Sequence, residues 1–448
     1  MQGVERVDRE LLDAEALVGH LVPEGSMFAF LAAHRRDVFA DGEFEDLFPS
    51  GRGRPSIPAS VMASILVLQT LHDLSDRETA EAARCDLRWK VATGMALDHK
   101  GFDPSTLVYW RKRLAKSERP QRINEAVRRV VEETGIVRGR GKRAVDSTIL
   151  ADAVATQDTI TQLIAAIRRV RRVVPGGAEA IAAVCTGHDY SGPGKPSIDW
   201  DEPGAKDTLV SALVNDANAL VEAFAGVDLD EQAQAALALL ALVAGQDVEP
   251  AEGSDGTDGR WRIARKVAPD RVISTVDTEA RHTRKSPEAR RDGYRAHVVA
   301  EPETGIITDE ALTTVGCPAG HTRPISRTRV ASFGALCRGC PLRERCTTSK
   351  TGRKIVLHQR DDLLRRARRD WAAQPELREK YRTFRPNVER VISQIASRGG
   401  RRIKLRYRGT EKNNAWLTRR TAGLNLRNLV GRGLTRTAGV WVLAAQTA

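Results

Sequence analysis

A single β-type segment, Arg143-Ala144-Val145-Asp146-Ser147-Thr148-Ile149, stands between long tracts of helical periodicity, and the next strand-like run comes only at Arg271-Val272-Ile273-Ser274. A lone strand leaves its backbone donors and acceptors unpaired, so this one must find partners more than a hundred residues away. The pattern predicts an α+β chain in which a helical block is inserted between the first strand and the rest of its sheet. Residues 158–183 and 206–244 read as two long helices of that block, separated by the Gly/Pro/Asp-rich stretch Thr186 to Pro203. The link Val248 to Gly259 reads as a flexible surface loop. The sheet continues at Gly293–Ala300, and Gly305-Ile306-Ile307-Thr308 pairs back across Pro302-Glu303-Thr304 as a hairpin.

Before the lone strand the chain is helical. Ser56-Ile57-Pro58 precedes the apolar run Val61–Leu68, with Pro where the start of a helix tolerates it. Ser75-Asp76-Arg77-Glu78 is a capping box, in which Ser75 and Glu78 satisfy each other's free backbone N–H groups. Asp103-Pro104-Ser105-Thr106 opens a further helix that carries Arg111, Lys112 and Arg113 on a basic face. Short helices joined by tight turns, the last one basic, fit either a helix-turn-helix-like DNA reader or a bundle with a solvated basic face.

Charge narrows the range of partners. Seventy-one Lys+Arg against 58 Asp+Glu leave a net charge of +13 over 448 residues, which points to a polyanion such as nucleic acid. The longest uninterrupted apolar run, Ala235–Ala244, is about half a membrane span, so a soluble cytoplasmic protein with no membrane partner is expected. From Arg398 to Lys412 seven Lys/Arg face one acid, Glu411, with Tyr407 among them. Basic side chains interleaved with an aromatic ring suit a phosphate backbone, and Arg401, Arg402, Lys404, Arg406 and Arg408 are the candidate contacts.

Several separate motifs, in order, resemble one family. Gly53-Arg54-Pro55, Leu74-Ser75-Asp76-Arg77-Glu78, Asp86-Leu87-Arg88-Trp89 and Phe102-Asp103-Pro104-Ser105-Thr106-Leu107 are similar to the helical N-terminal domain of bacterial insertion-sequence transposases. Ala144-Val145-Asp146-Ser147-Thr148, Asp292-Gly293-Tyr294-Arg295-Ala296-His297, Tyr381-Arg382, Arg385-Pro386, Val388-Glu389-Arg390, Arg406-Tyr407-Arg408-Gly409 and Asn425-Leu426-Arg427 resemble their catalytic domain. The resemblance implies an RNase H-like mixed sheet flanked by helices and an Asp-Asp-Glu triad. Asp146 would be its first acid and Glu389 its last. It also implies Mg²⁺ or Mn²⁺ as cofactor, because two divalent ions shared by three carboxylates can stabilise the attacking and leaving oxygens of an in-line displacement at phosphorus. The implied partners are double-stranded DNA, as element ends and target, and further copies of the chain assembled on it.

The middle acid has no obvious place. In an RNase H-like sheet, the strand that bears it runs parallel to the first and follows the hairpin through a crossover of about a dozen residues or more. Only eight residues, Asp309 to Gly316, separate Thr308 from Cys317. The simplest account is an internal deletion relative to the family. Asp277, Asp309, Asp361 and Asp362 are the candidate substitutes. Two functions follow: a transposase impaired by loss of its second Asp, or an inactive DNA-binding remnant that regulates transposition.

Cysteine usage adds a second metal expectation. Cys337 and Cys340 share a C-x2-C turn, Cys346 follows after five residues, and Cys317 stands twenty upstream. Four soft ligands of this kind suit a tetrahedral structural Zn²⁺, with His321 a rival to Cys317. The expected organisation is therefore a helical DNA-binding domain over 1–135, the first part of the catalytic domain over 136–316 with its insertion at about 150–260, a Cys-rich zinc segment over 317–350, and the remainder of the catalytic domain with its basic tail over 351–448.

Overall fold

The computed structural model describes residues 1–3, 12–50, 52–137, 142–194, 196–265, 271–284, 290–314, 330–332, 354–356, 369 and 373–444. Two compact units are present, one of Met1–Val315 with Arg390–Ala448 and one of Gly316–Glu389. The larger unit opens with seven helices: α1 (Ala14–Val18), α2 (Met27–Val38), α3 (Ala59–His72), α4 (Asp76–Cys85), α5 (Leu87–Thr93), α6 (Ser105–Lys116) and α7 (Arg122–Glu133). Of these α3 is mostly apolar, and every residue from Ala59 to Leu71 is buried, as expected for a helix surrounded by others. The capping box at the start of α4 is present, with the Ser75 N–H donating to Glu78 at 2.6 Å and the Glu78 N–H donating to the Ser75 hydroxyl at 3.3 Å.

The lone strand β1 (Ala144–Ala151) does find distant partners. After the insertion come β4 (Arg281–Arg284), β5 (Arg290–Ala300) and β6 (Ile307–Thr314). Each of the three other strands pairs antiparallel with β5: Asp146 lies opposite Val298, which in turn lies opposite Glu310. Directly opposed residues share a face. One face of the sheet is therefore Leu150, Tyr294, Ala296, Val298 and Leu312, all buried. Against this face packs α13 (Thr410–Val430), whose Asn425 donates to and accepts from the backbone of Ile307 at 2.7 and 2.8 Å. A single apolar core runs through α2, α3 and α7, the sheet and α13, so it is continuous across residue 135.

Helix packing is tight where α13 meets α3. A methyl group on Gly423 would lie 2.7 Å from Cγ of Leu71. Nearby, the buried Arg420 donates to the carbonyls of Thr70, Gln394, Ile395 and Ser397, which closes the C-terminal ends of α3 and of α12 (Pro375–Ala396). Free carbonyls at helix ends attract cations.

The insertion has its own core. Its two expected helices are four. The sequence Val174-Pro175-Gly176 separates α8 (Thr159–Val173) from α9 (Gly177–Val184), and Gly226 to Asp230 separates α10 (Ala205–Ala223) from α11 (Glu231–Gln246). Asp216 on α10 fixes the chain after α9 by accepting from the N–H groups of Thr186 and Gly187 at 2.8 Å and from the Tyr190 hydroxyl at 2.7 Å. Two expectations are corrected here. The Val248–Gly259 link begins with β2 (Val248–Pro250), which pairs with β3 (Trp261–Ile263). Arg271–Ser274 is not a strand: Val272 makes one isolated bridge to Arg281, while its carbonyl accepts from Gln162 and Gln246 of the insertion.

The smaller unit contains the pair β7 (Val330–Ser332) and β8 (Lys354–Val356) and the first part of α12. In the larger unit, β9 (Ser397–Arg398) pairs with β10 (Arg401–Arg402), and β11 (Thr435–Thr437) with β12 (Val440–Val442). Among the described residues no helix is long and apolar enough to cross a membrane.

Candidate active site and basic surface

Asp146 lies on β1 in the row Asp146, Val298, Glu310. Its carboxylate is half-buried and accepts from the N–H of Ser147 at 2.7 Å. The row's other end is closed to solvent: the Glu310 side chain is 2% exposed, accepts from Asn124 at 3.0 Å, and stands 3.7 Å from Arg128. Burial pushes its carboxyl up to about 7. Glu389 lies on α12 in the smaller unit, where it is largely exposed and accepts from Arg385 Nε, one turn earlier, at 2.8 Å.

The candidate substitutes for a second acid separate clearly. Asp277 is buried, and its oxygens accept from the Tyr294 hydroxyl at 2.7 and 2.8 Å and from the Gly409 N–H at 3.3 Å. It therefore joins the sheet to the start of α13. Asp309 lies within β6, next to Glu310 in sequence and so on the opposite face of the sheet from Asp146, with its side chain 71% exposed. Asp361 and Asp362 lie outside the described residues, as do Cys317, His321, Cys337, Cys340 and Cys346.

Sequence reasoning missed Glu310 and also Asp152. Asp152, the residue after β1, is buried with its Oδ2 unpartnered, and burial together with Asp292 and Asp277 pushes it up to about 6. Asp292 holds the hydroxyl of Thr156 and, at 2.6 Å, Nδ1 of His282. The signal available was an Asp at the end of an apolar strand, which equally reads as a turn residue. Among the described residues no three His, Cys, Asp or Glu side chains are arranged to hold a metal ion. The described residues alone thus do not fit a two-ion site.

The basic residues divide by what they already touch. On α6, Arg111 pairs with Asp76 at 2.5 Å and lies over the Tyr407 ring, and Arg113 donates to the Leu47 carbonyl and stacks on Phe48. Lys112 is exposed. The tail is ordered by alternation: Arg401, Arg402, Lys404, Arg406 and Arg408 are exposed while Ile403 and Leu405 are buried. This stretch runs beside the end of β1, where the Leu405 N–H donates to the Ala151 carbonyl at 2.7 Å and Lys404 forms a parallel bridge with Ala151. Arg406 also donates to the Asp73 carbonyl at 2.8 Å.

Two family models match the chain. One, "Transposase domain (DUF772)", covers residues 18–113, and the other, "Transposase DDE domain", covers residues 316–430. Together the two matches support an insertion-sequence DDE transposase. The second match includes Glu389 and the alternating basic stretch. Asp146, the strands around it and the helical insertion lie between the two matches. DDE transposases generally use a divalent metal and act on DNA. No curated protein and no solved structure matches the chain.

Proposed function

We propose that this transposase binds the DNA ends of its element but carries out phosphodiester hydrolysis and strand transfer poorly, because the second catalytic Asp has been lost with an internal segment. On this reading β1, β5 and β6 are the antiparallel half of an RNase H-like sheet, and Asp146 and Glu389 are its first and last acids. Two of the three carboxylates that a two-ion site needs would then be present, and two do not suffice to hold the ions in line with a phosphate.

The observation that carries the reading is the length of β6. It runs to Thr314, past the Thr308 at which sequence reasoning ended the hairpin, so that only Val315 and Gly316 remain before Cys317. Two residues cannot form a crossover and a strand. The parallel neighbour of β1 among the described residues is instead the basic stretch at Lys404. An inactive DNA-binding regulator is the alternative, and it too is favoured by this short connection.

DNA binding is expected under both readings. The five exposed basic residues from Arg401 to Arg408 predict that affinity for duplex DNA falls steeply with salt, by roughly 10³-fold or more between about 50 and 200 mM if six or more phosphates are contacted. Fluorescence anisotropy across that range checks this, and an affinity that does not change with salt would reject it.

A further inference from the structure

His72 closes α3 under a group of arginines that come from three other places in the larger unit. Its half-buried ring lies 5.3 Å from the Phe28 ring and 6.1 Å from that of Trp89. Nδ1 accepts from Arg398 Nη2 at 2.9 Å, so this nitrogen carries no proton. Arg88, from α5, stacks over Phe28 at 5.3 Å and is paired with Asp86 at 2.6 Å. Arg427, on the last turn of α13, is exposed.

The balance of charge in this group is positive. Asp86 answers Arg88, but among the described residues Arg398 and Arg427 have no acidic partner. Helix C-termini carry roughly half a negative charge each, which offsets part of the repulsion between the guanidinium groups. The remainder is still felt at the imidazole. Burial first, then Arg398 and Arg88, with a smaller contribution from Arg427 and an opposing one from Asp86, lower His72 to about 4. Arg427 is itself lowered by burial and by Arg398. Arg398 beside the ring nitrogen and Arg427 on α13, the helix packed against α3, carry guanidinium forks without carboxylates, the planar donors that match phosphate oxygens.

We propose that Arg398, Arg427 and His72 form a phosphate site that takes one backbone phosphodiester of duplex DNA, with Arg88 at its rim. The site rests on the reading that this chain binds DNA, and it lies outside the Arg401–Arg408 contacts. A bound phosphodiester, with its single negative charge, offsets part of the charge of the arginines and makes protonation of His72 easier.

Two measurements on the full-length protein test the site. In the first, a short duplex is titrated against the wild type and against Arg398→Ala/Arg427→Ala across a range of salt. The variant is expected to bind about tenfold more weakly at low salt, with a logarithmic salt slope about one unit shallower. In the second, the His72 ring is followed by NMR through a pH titration, alone, with the duplex, and with inorganic phosphate. An upward move of its pKa by about one unit with the duplex is expected, and this readout needs no variant to fold. Unchanged affinity and slope in the double variant, while the wild type binds normally, would overturn the site and leave the DNA reading standing. A wild type that binds no duplex at all would overturn both. A His72 shift with inorganic phosphate but none with the duplex would make it a free-anion site and overturn the assignment to DNA.

Discussion

Glu310 is a buried acid whose energetics reach beyond its immediate contacts. Arg128 and a hydrogen bond from Thr418 pull its pKa down, but desolvation, aided by Asp309, wins and moves it from 4.5 to about 7. The folded protein therefore holds this proton more tightly than the unfolded chain between those two values. More protons bound in the native state means that stability falls as pH rises through this window. Glu310→Gln removes the titration. Its stability relative to wild type should be about 2 kcal/mol more favourable at about pH 8 than at about pH 5, read from denaturant midpoints at the two pH values. An offset that does not depend on pH would contradict the assignment. Nothing in the local sequence Thr308-Asp309-Glu310-Ala311 marks Glu310 as buried. Strand alternation separates it from Asp309, but only α7 and α13, brought onto the sheet from far away, close that face over it. The same holds for Asp277 and Asp152, both buried: Asp277 meets Tyr294 and Gly409, and Asp152 feels the charge of Asp292, all distant in sequence.

Elements were legible where the signal is local. The capping box of α4, the start of α3 after Pro58, β1 and the β5–β6 turn follow from capping chemistry, apolar runs and turn residues, and each is present. Short pairs such as β2 with β3 are set by tertiary packing and passed for a loop. The long reach of β6 was missed because Asp309, Glu310 and the threonines after them are polar, although Leu312 within that run is buried. Contact between elements also lies beyond local pattern. Gly423 reads as an interruption of α13, yet it faces Leu71 of α3 with no room for a side chain. Replacing Gly by Ala within a helix ordinarily gains up to about 1 kcal/mol. Here the added methyl would meet Leu71 Cγ at 2.7 Å, in a core where overpacking costs about 1–3 kcal/mol, so Gly423→Ala should lower the melting temperature. A variant that melts higher than wild type would mean that the two helices separate easily.

At the scale of the whole molecule, the N-terminal helices and the sheet share one core, while the insertion between β1 and β4 keeps a second. The sequence placed Asp146 on a strand and Glu389 on a helix, and both lie where they were expected. On the proposed reading the middle acid is missing from the described residues, where Asp277 is held by Tyr294 and Gly409 and Asp309 lies on the opposite face of the sheet from Asp146. A site short of one carboxylate holds its ions weakly and loses transition-state stabilisation, whereas a surface of arginines can still bind DNA. The most direct test incubates the purified protein with Mg²⁺ or Mn²⁺ and supercoiled DNA that carries the element's ends, and follows nicking and strand transfer while retention of the DNA is measured in parallel. The account predicts retained binding with cleavage at or near background, and no further loss in Asp146→Ala. Robust nicking or strand transfer that disappears in Asp146→Ala would contradict it.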